Sequence, residues 1–149
     1  MGIFGFFGKK GANIKKELKK VENRDLMQAI AGGSLLVAYA DGDCSQEEVN
    51  KMEAIIVSLP ELSHFSGELS QTIDYFRKQF EASYRVGRQK VLKELDDIQA
   101  SDDDKELVFN IMVTIAEADG EIGEKEFVVL KDVAQRLGVN LRDYGLENA

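Results

Sequence analysis

Apolar residues recur at three- and four-residue spacing along nearly the whole chain. No period-two alternation lasts long enough to make a strand, so the pattern predicts helices throughout. Ile14–Val21 reads as a short, lysine-rich helix. Asp25 is positioned to cap a second, running to about Ala40 and apolar on nearly every face, which marks it as central. Ser45 starts a third, with Val49, Met52, Ile55 and Ile56 inward, ending before the single proline, Pro60. A fourth spans Glu68 to Ala82 with Ile73, Phe76 and Phe80 inward, and a fifth Arg85 to Ile98, weakened at Gly87. Ser101 and Asp104 open a sixth, striped by Leu107, Val108, Ile111, Met112 and Ile115. A seventh runs from near Gly123 to Gly138, and Asn140 caps a closing turn.

Two of these helix junctions repeat each other. Ala40-Asp41-Gly42-Asp43-Cys44-Ser45-Gln46-Glu47-Glu48-Val49 aligns without gaps on Ala118-Asp119-Gly120-Glu121-Ile122-Gly123-Glu124-Lys125-Glu126-Phe127. The correspondence continues through Met52 with Leu130 and Ile55 with Val133. The expected architecture is therefore all-α: a single-domain bundle of seven or eight helices with an internal pseudo-twofold repeat of Asp-Gly helix-turn-helix hairpins, around residues 26–57 and 104–135.

A length of 149 residues suits one domain able to bury a core without staples. One Cys rules out an internal disulfide, and Cys44 with His64 cannot assemble the usual nitrogen–sulfur zinc sets. The N-terminus lacks the long apolar run of a secretory signal, and Leu26–Ala40 is too short to span a bilayer, so a cytoplasmic location is expected. The net charge of −8 is unevenly placed. Residues 1–24 carry seven basic and two acidic side chains, +5, and the remaining 12 basic and 25 acidic residues make the body −13. The chain thus divides into a basic, partly flexible N-terminal segment, 1–24, and a helical domain, 25–149. The body repels nucleic acid and attracts cations or basic surfaces. Lys9, Lys10, Lys15, Lys16, Lys19 and Lys20, with Phe4, Phe6 and Phe7, make either an anchor on a membrane or other anionic partner, or a frayed tail.

Carboxylate oxygens suit hard divalent cations, and each Asp-Gly turn carries Asp, Gly and a later Glu at the spacing of positions five, six and twelve of an EF-hand loop. The earlier ligand positions hold Val37 and Tyr39 in one copy and Ile115 and Glu117 in the other, so neither is an EF-hand. A pooled site of Asp41, Asp43, Glu47 and Glu48 with Asp119, Glu121, Glu124 and Glu126 is one reading. The other is helix-terminus chemistry: left-handed glycines, a Ser45–Glu48 capping box and acids facing the helix dipole. Cys44 aligns with Ile122 and reads as a buried small hydrophobe. His64 has no evident role. Without a phosphate loop, nucleophile elbow or His-centred arrangement, the chain does not read as an enzyme.

At these residues the chain resembles the TerB family, the small tellurite-resistance proteins. The family's Ala-X-X-Ala-Asp-Gly-X-apolar-X-X-X-Glu turn occurs twice, in a shortened version with Tyr39 between the alanines in Ala38–Glu48 and again in Ile115–Glu126, and the closing Leu137-Gly138-Val139 … Tyr144-Gly145-Leu146 also matches. The first turn departs in having Cys44 and Gln46 where the second has Ile122 and Glu124. The resemblance implies a bacterial stress-response protein whose acidic residues bind a divalent metal, Ca²⁺, Mn²⁺ or Zn²⁺. It also implies association with an integral membrane partner of the TerC type. A metal-responsive adaptor is thus the expected function. The alternative is a metal-independent peripheral membrane scaffold or protein-interaction module.

Overall fold

The computed structural model describes residues 23–98, 101–118 and 120–146. Among them there are six α-helices, three short 3₁₀ turns and no strand. Helix α1 covers residues 23–38 of the described chain. It is followed by α2 (Gln46–Val57), α3 (Ser66–Ala82), α4 (Tyr84–Asp97), α5 (Asp102–Glu117) and α6 (Glu124–Leu137). The 3₁₀ turns are Tyr39–Asp41, Ser63–Phe65 and Leu141–Tyr144. The helix expected at Ile14–Val21 and the whole basic cluster Lys9–Lys20 lie outside the described residues, and the closing turn is 3₁₀.

Helix α1 is the axis of the bundle. Ala29, Ile30, Ala31, Leu35 and Val37 are completely buried. Gly32 faces Phe76 of α3 and Val91 of α4, and Gly33 faces Met112 of α5. With no side chain at these two positions, three helices close on α1 from different sides. The remaining contacts pair α3 with α4 and α5 with α6, join α4 to α6 and α2 to α5, and seat α6 on the 3₁₀ turn Tyr39–Asp41. Across the α4–α6 seam, Arg88 meets Asp132 at 2.7 Å and Arg136 meets Asp96 at 3.1 Å. Both pairs remain partly open to solvent and set register more than stability, since ion pairs in contact with water contribute about 0–1 kcal/mol.

The helix boundaries follow their caps, with one correction. Ser45, Ser83, Ser101 and Asn140 each accept a backbone N–H of the turn they open. Asp25 does not cap α1, which is already helical at residue 23. Gly138 ends α6 in the left-handed conformation, with φ of 73°. The buried face of α5 is wider than the expected stripe and includes Phe109, fully buried. The reason is Tyr144, from the closing turn, whose ring meets Phe109 edge-on at 4.7 Å.

Candidate functional site

Each Asp-Gly turn brings a helix to a halt and starts another. Gly42 and Gly120 have φ of 99° and 119°, which side-chain-bearing residues rarely adopt, and Gly42 N–H closes on Tyr39 C=O at 2.8 Å. The chain then extends for a few residues before α2 or α6 begins. The two starts use opposite halves of a capping box. In the first, the Ser45 hydroxyl accepts Glu48 N–H at 3.1 Å and donates to Glu48 Oε1 at 3.4 Å. Gly123 has no hydroxyl at the corresponding place, and the Glu126 carboxylate accepts Gly123 N–H at 3.0 Å instead.

These starts bring the two copies together at one cavity of about 200 Å³. Its walls are Ala38 from the end of α1, Asp41 and Asp43 from the first turn, and Glu48, Lys51 and Met52 from α2. Ile115 and Ala118 at the end of α5 and Glu126 of α6 complete it. The lining combines apolar residues, among them the completely buried Met52, with four carboxylates and Lys51.

Of the eight acidic candidates, four line this cavity: Asp41, Asp43, Glu48 and Glu126. Glu47, Glu121 and Glu124 are exposed and do not line it. Glu47 and Glu124 sit in the first turns of α2 and α6, where helix-dipole complementarity accounts for them. Asp119 lies outside the described residues. The donor chemistry of the four, all oxygen, fits a hard divalent cation. Their arrangement surrounds the cavity without converging. Among the described residues, no three Asp, Glu, His or Cys side chains stand close enough together to hold a metal ion.

Two basic residues at this place escaped the sequence reading. Lys51 lines the cavity itself, one helical turn beyond Glu48, and that spacing was the available signal. Arg77 reaches the first turn from α3, donating through Nη1 to Gln46 Oε1 at 3.0 Å and through Nη2 to Cys44 C=O at 3.4 Å. Nothing local in the sequence links a residue of α3 to this turn. Beside it, Tyr39 donates to Glu81 Oε1 at 2.7 Å and stacks on Phe80 at 4.7 Å. Burial pushes the Tyr39 phenol up to about 12.

Cys44 is buried, as its alignment with Ile122 implies. Burial, reinforced by Glu48, pushes its thiol up to about 11, which makes it a poor nucleophile at neutral pH. Asp43 Oδ1 accepts the Cys44 N–H at 2.8 Å and holds the turn in place. His64 lies against Phe65 with ring centroids 4.0 Å apart, away from the cavity.

No described helix is long and apolar enough to cross a membrane. Neither the curated proteins nor the solved structures include a match to this chain. The family model described as tellurite resistance protein TerB matches residues 27–147, which takes in both Asp-Gly turns, the cavity they share and the closing 3₁₀ turn. The chain belongs to the TerB family of tellurite-resistance proteins.

Proposed function

We propose that this protein is a non-enzymatic, divalent-cation-binding adaptor of the tellurite-resistance and stress-response system, and that its cation sits between the two Asp-Gly turns. The observation that carries this reading is the cavity itself. Carboxylates from both copies of the motif line one space, although only helix capping would be needed to explain each copy separately. Asp41, Asp43, Glu48 and Glu126 hold the cation, drawn inward from their places around the cavity, with Asp119 as the remaining candidate of the second turn. The proposal includes an origin of the fold by duplication of the hairpins 26–57 and 104–135. It also includes a TerC-type integral membrane partner, with the lysines between Lys9 and Lys20 as the contact to the inner membrane.

The test is calorimetric titration of the metal-stripped full-length chain with Ca²⁺, Mn²⁺ and Zn²⁺ in turn. Saturable binding of at least one cation is expected. Absence of saturable heat with all three overturns the reading.

A second reading is favoured by one observation: Lys51 of the chain itself lines the cavity beside the four carboxylates, so these acids already share their space with a basic side chain. In that reading the acidic face docks a basic protein surface without metal. Partner binding that persists in chelator and weakens with salt selects it.

A further inference from the structure

Residues 41–48, the first Asp-Gly turn and the opening of α2, are thinly attached to the bundle. Cys44 is the one buried residue of the eight; Glu48 is half-buried and the others are exposed. The segment's own hydrogen bonds are local. Gly42 N–H donates to Tyr39 C=O, Cys44 N–H to Asp43 Oδ1 and Glu48 N–H to Ser45 Oγ, which shapes the turn without fastening it. Among the described residues, two hydrogen bonds reach the segment from another helix, and both come from Arg77 of α3. Its Nη1 donates to Gln46 Oε1 at 3.0 Å and its Nη2 to Cys44 C=O at 3.4 Å. The Arg77 Nε is enclosed and has no hydrogen-bond partner among the described residues. That is a desolvation cost of the closed arrangement, relieved when the guanidinium returns to water.

From these observations we infer that Arg77 is a latch on the first Asp-Gly turn. Residues 41–48 open as a unit while the rest of the bundle stays folded, and the Arg77 guanidinium sets how often they do. Segments with few buried contacts and exposed backbone are the ones that open locally in this way. Asp41, Asp43 and Glu48, three of the four cavity carboxylates, all lie in the latched segment. Arg77 does not line the cavity, so it is a positioning residue that acts on those carboxylates from α3. Gln46, one of the two places where the first copy departs from the second, supplies an acceptor to the latch. The latch does not depend on whether the cavity holds a cation.

Cys44, buried within the segment and the single cysteine of the chain, reports the opening. The experiment measures its reaction with a thiol reagent in full-length wild type, Arg77→Met, Gln46→Met and Lys78→Met, at several low urea concentrations. Each rate is divided by that of the same variant unfolded, and each denaturant midpoint is measured alongside. Lys78 is exposed on the same helix, so its loss removes equal charge without removing the latch. Wild-type labelling is expected to change little with low urea, because a local opening exposes little surface, whereas global unfolding would carry the full urea dependence of stability. Arg77→Met is expected to label on the order of tenfold faster than wild type, Gln46→Met a few-fold faster and Lys78→Met within about twofold. The guanidinium favours the Cys44 thiolate, so its loss alone would slow the reaction, and acceleration therefore reports exposure. Acceleration in Arg77→Met alone also supports the latch, carried by the bond to Cys44 C=O. If Arg77→Met fails to fold, Gln46→Met, altered at an exposed position, decides the matter. Wild-type labelling that climbs with urea as steeply as global unfolding overturns the local opening. Labelling in Arg77→Met and Gln46→Met no faster than in Lys78→Met overturns the latch, as does acceleration fully matched by a fall in global stability.

Discussion

Gly87 lies so close to Phe80 that a methyl group on it would fall 2.4 Å from Phe80 Cδ1 and 2.9 Å from Phe80 Cα. One of those atoms is backbone, so no rotation of the Phe80 ring relieves the clash. The contact sits where α3 reverses into α4 across Ser83, and Phe80 stacks on Tyr39 at the entrance to the first Asp-Gly turn. The α3–α4 hairpin and the turn thus share one aromatic stack.

Gly87→Ala is therefore expected to destabilise the fold despite raising helix propensity. Overpacking of this kind costs about 1–3 kcal/mol, against a propensity gain of about 1 kcal/mol for Gly to Ala. A lowered melting temperature by circular dichroism is the expected readout. A variant as stable as wild type would mean that α3 and α4 separate freely and that the close approach is not a constraint.

Alkaline pH probes the interior of the first turn. The Cys44 thiol is pushed up to about 11 from an ordinary 9.0, and the Tyr39 phenol to about 12 from 10.0, burial being the first cause of both. Between pH 9 and 11 the unfolded chain loses the Cys44 proton while the folded chain keeps it. The unfolded state then binds fewer protons, so stability falls as pH rises through this window, and it is fully present below pH 9. Tyr39 extends the decline from 10 towards 12. Denaturant midpoints measured from pH 8 to pH 11 are expected to drop, with a shallower drop in Cys44→Ala whatever its stability at pH 8. The native thiol is also expected to react with a thiol reagent far more slowly than the denatured one. Parallel pH slopes in wild type and Cys44→Ala would show that the thiol ionises as readily folded as unfolded.

The helices and their caps were legible because they depend on neighbours in sequence. Ser45, Ser101, Asn140 and Gly138 act within one turn of themselves, and the spacing of Val49, Met52 and Ile56 alone marks the buried face of α2. Gly87 read as a weak point in a helix because the sequence does not show that Phe80 lies against it. Phe109 fell outside the expected stripe of α5 for the same reason, its cover being Tyr144. At the site, the repeat picked out all four cavity carboxylates but also Glu47, Glu121 and Glu124. An acid facing a helix dipole and an acid facing a cavity have the same sequence signature, and only the packing of α2 against α5 and α6 against the Tyr39–Asp41 turn separates them.

Ser45 gives a way to separate capping from cation binding. Its hydroxyl accepts Glu48 N–H, and it does not itself line the cavity. Ser45→Ala is expected to cost about 1 kcal/mol of stability. The stabilisation gained on adding cation should be unchanged, since the four cavity carboxylates remain. Thermal melts of this variant with chelator and with each cation provide the measurement. Loss of the cation-dependent gain in Ser45→Ala would show that the cap and the site are one device.

The sharpest division is among the acids themselves. A cation bound only by the folded chain stabilises it by mass action, by roughly 2.7 kcal/mol at a free concentration ~100 times the dissociation constant. Asp41→Asn and Asp43→Asn each replace a cavity carboxylate with a neutral group of the same shape, and Asn at 43 retains an oxygen able to accept the Cys44 N–H. Both are expected to lose most of the cation-dependent gain while keeping, or slightly raising, stability in chelator, because repulsion around the cavity is relieved. Glu47→Gln, Glu121→Gln and Glu124→Gln alter exposed carboxylates outside the cavity and are expected to retain most of the gain, with small losses in chelator where the helix dipole is no longer complemented. Melts of the five variants with and without cation test the arrangement directly. If the exposed substitutions abolish the gain as fully as Asp41→Asn, the effect comes from the diffuse charge of the acidic body, and the cavity between the turns is not where the cation binds.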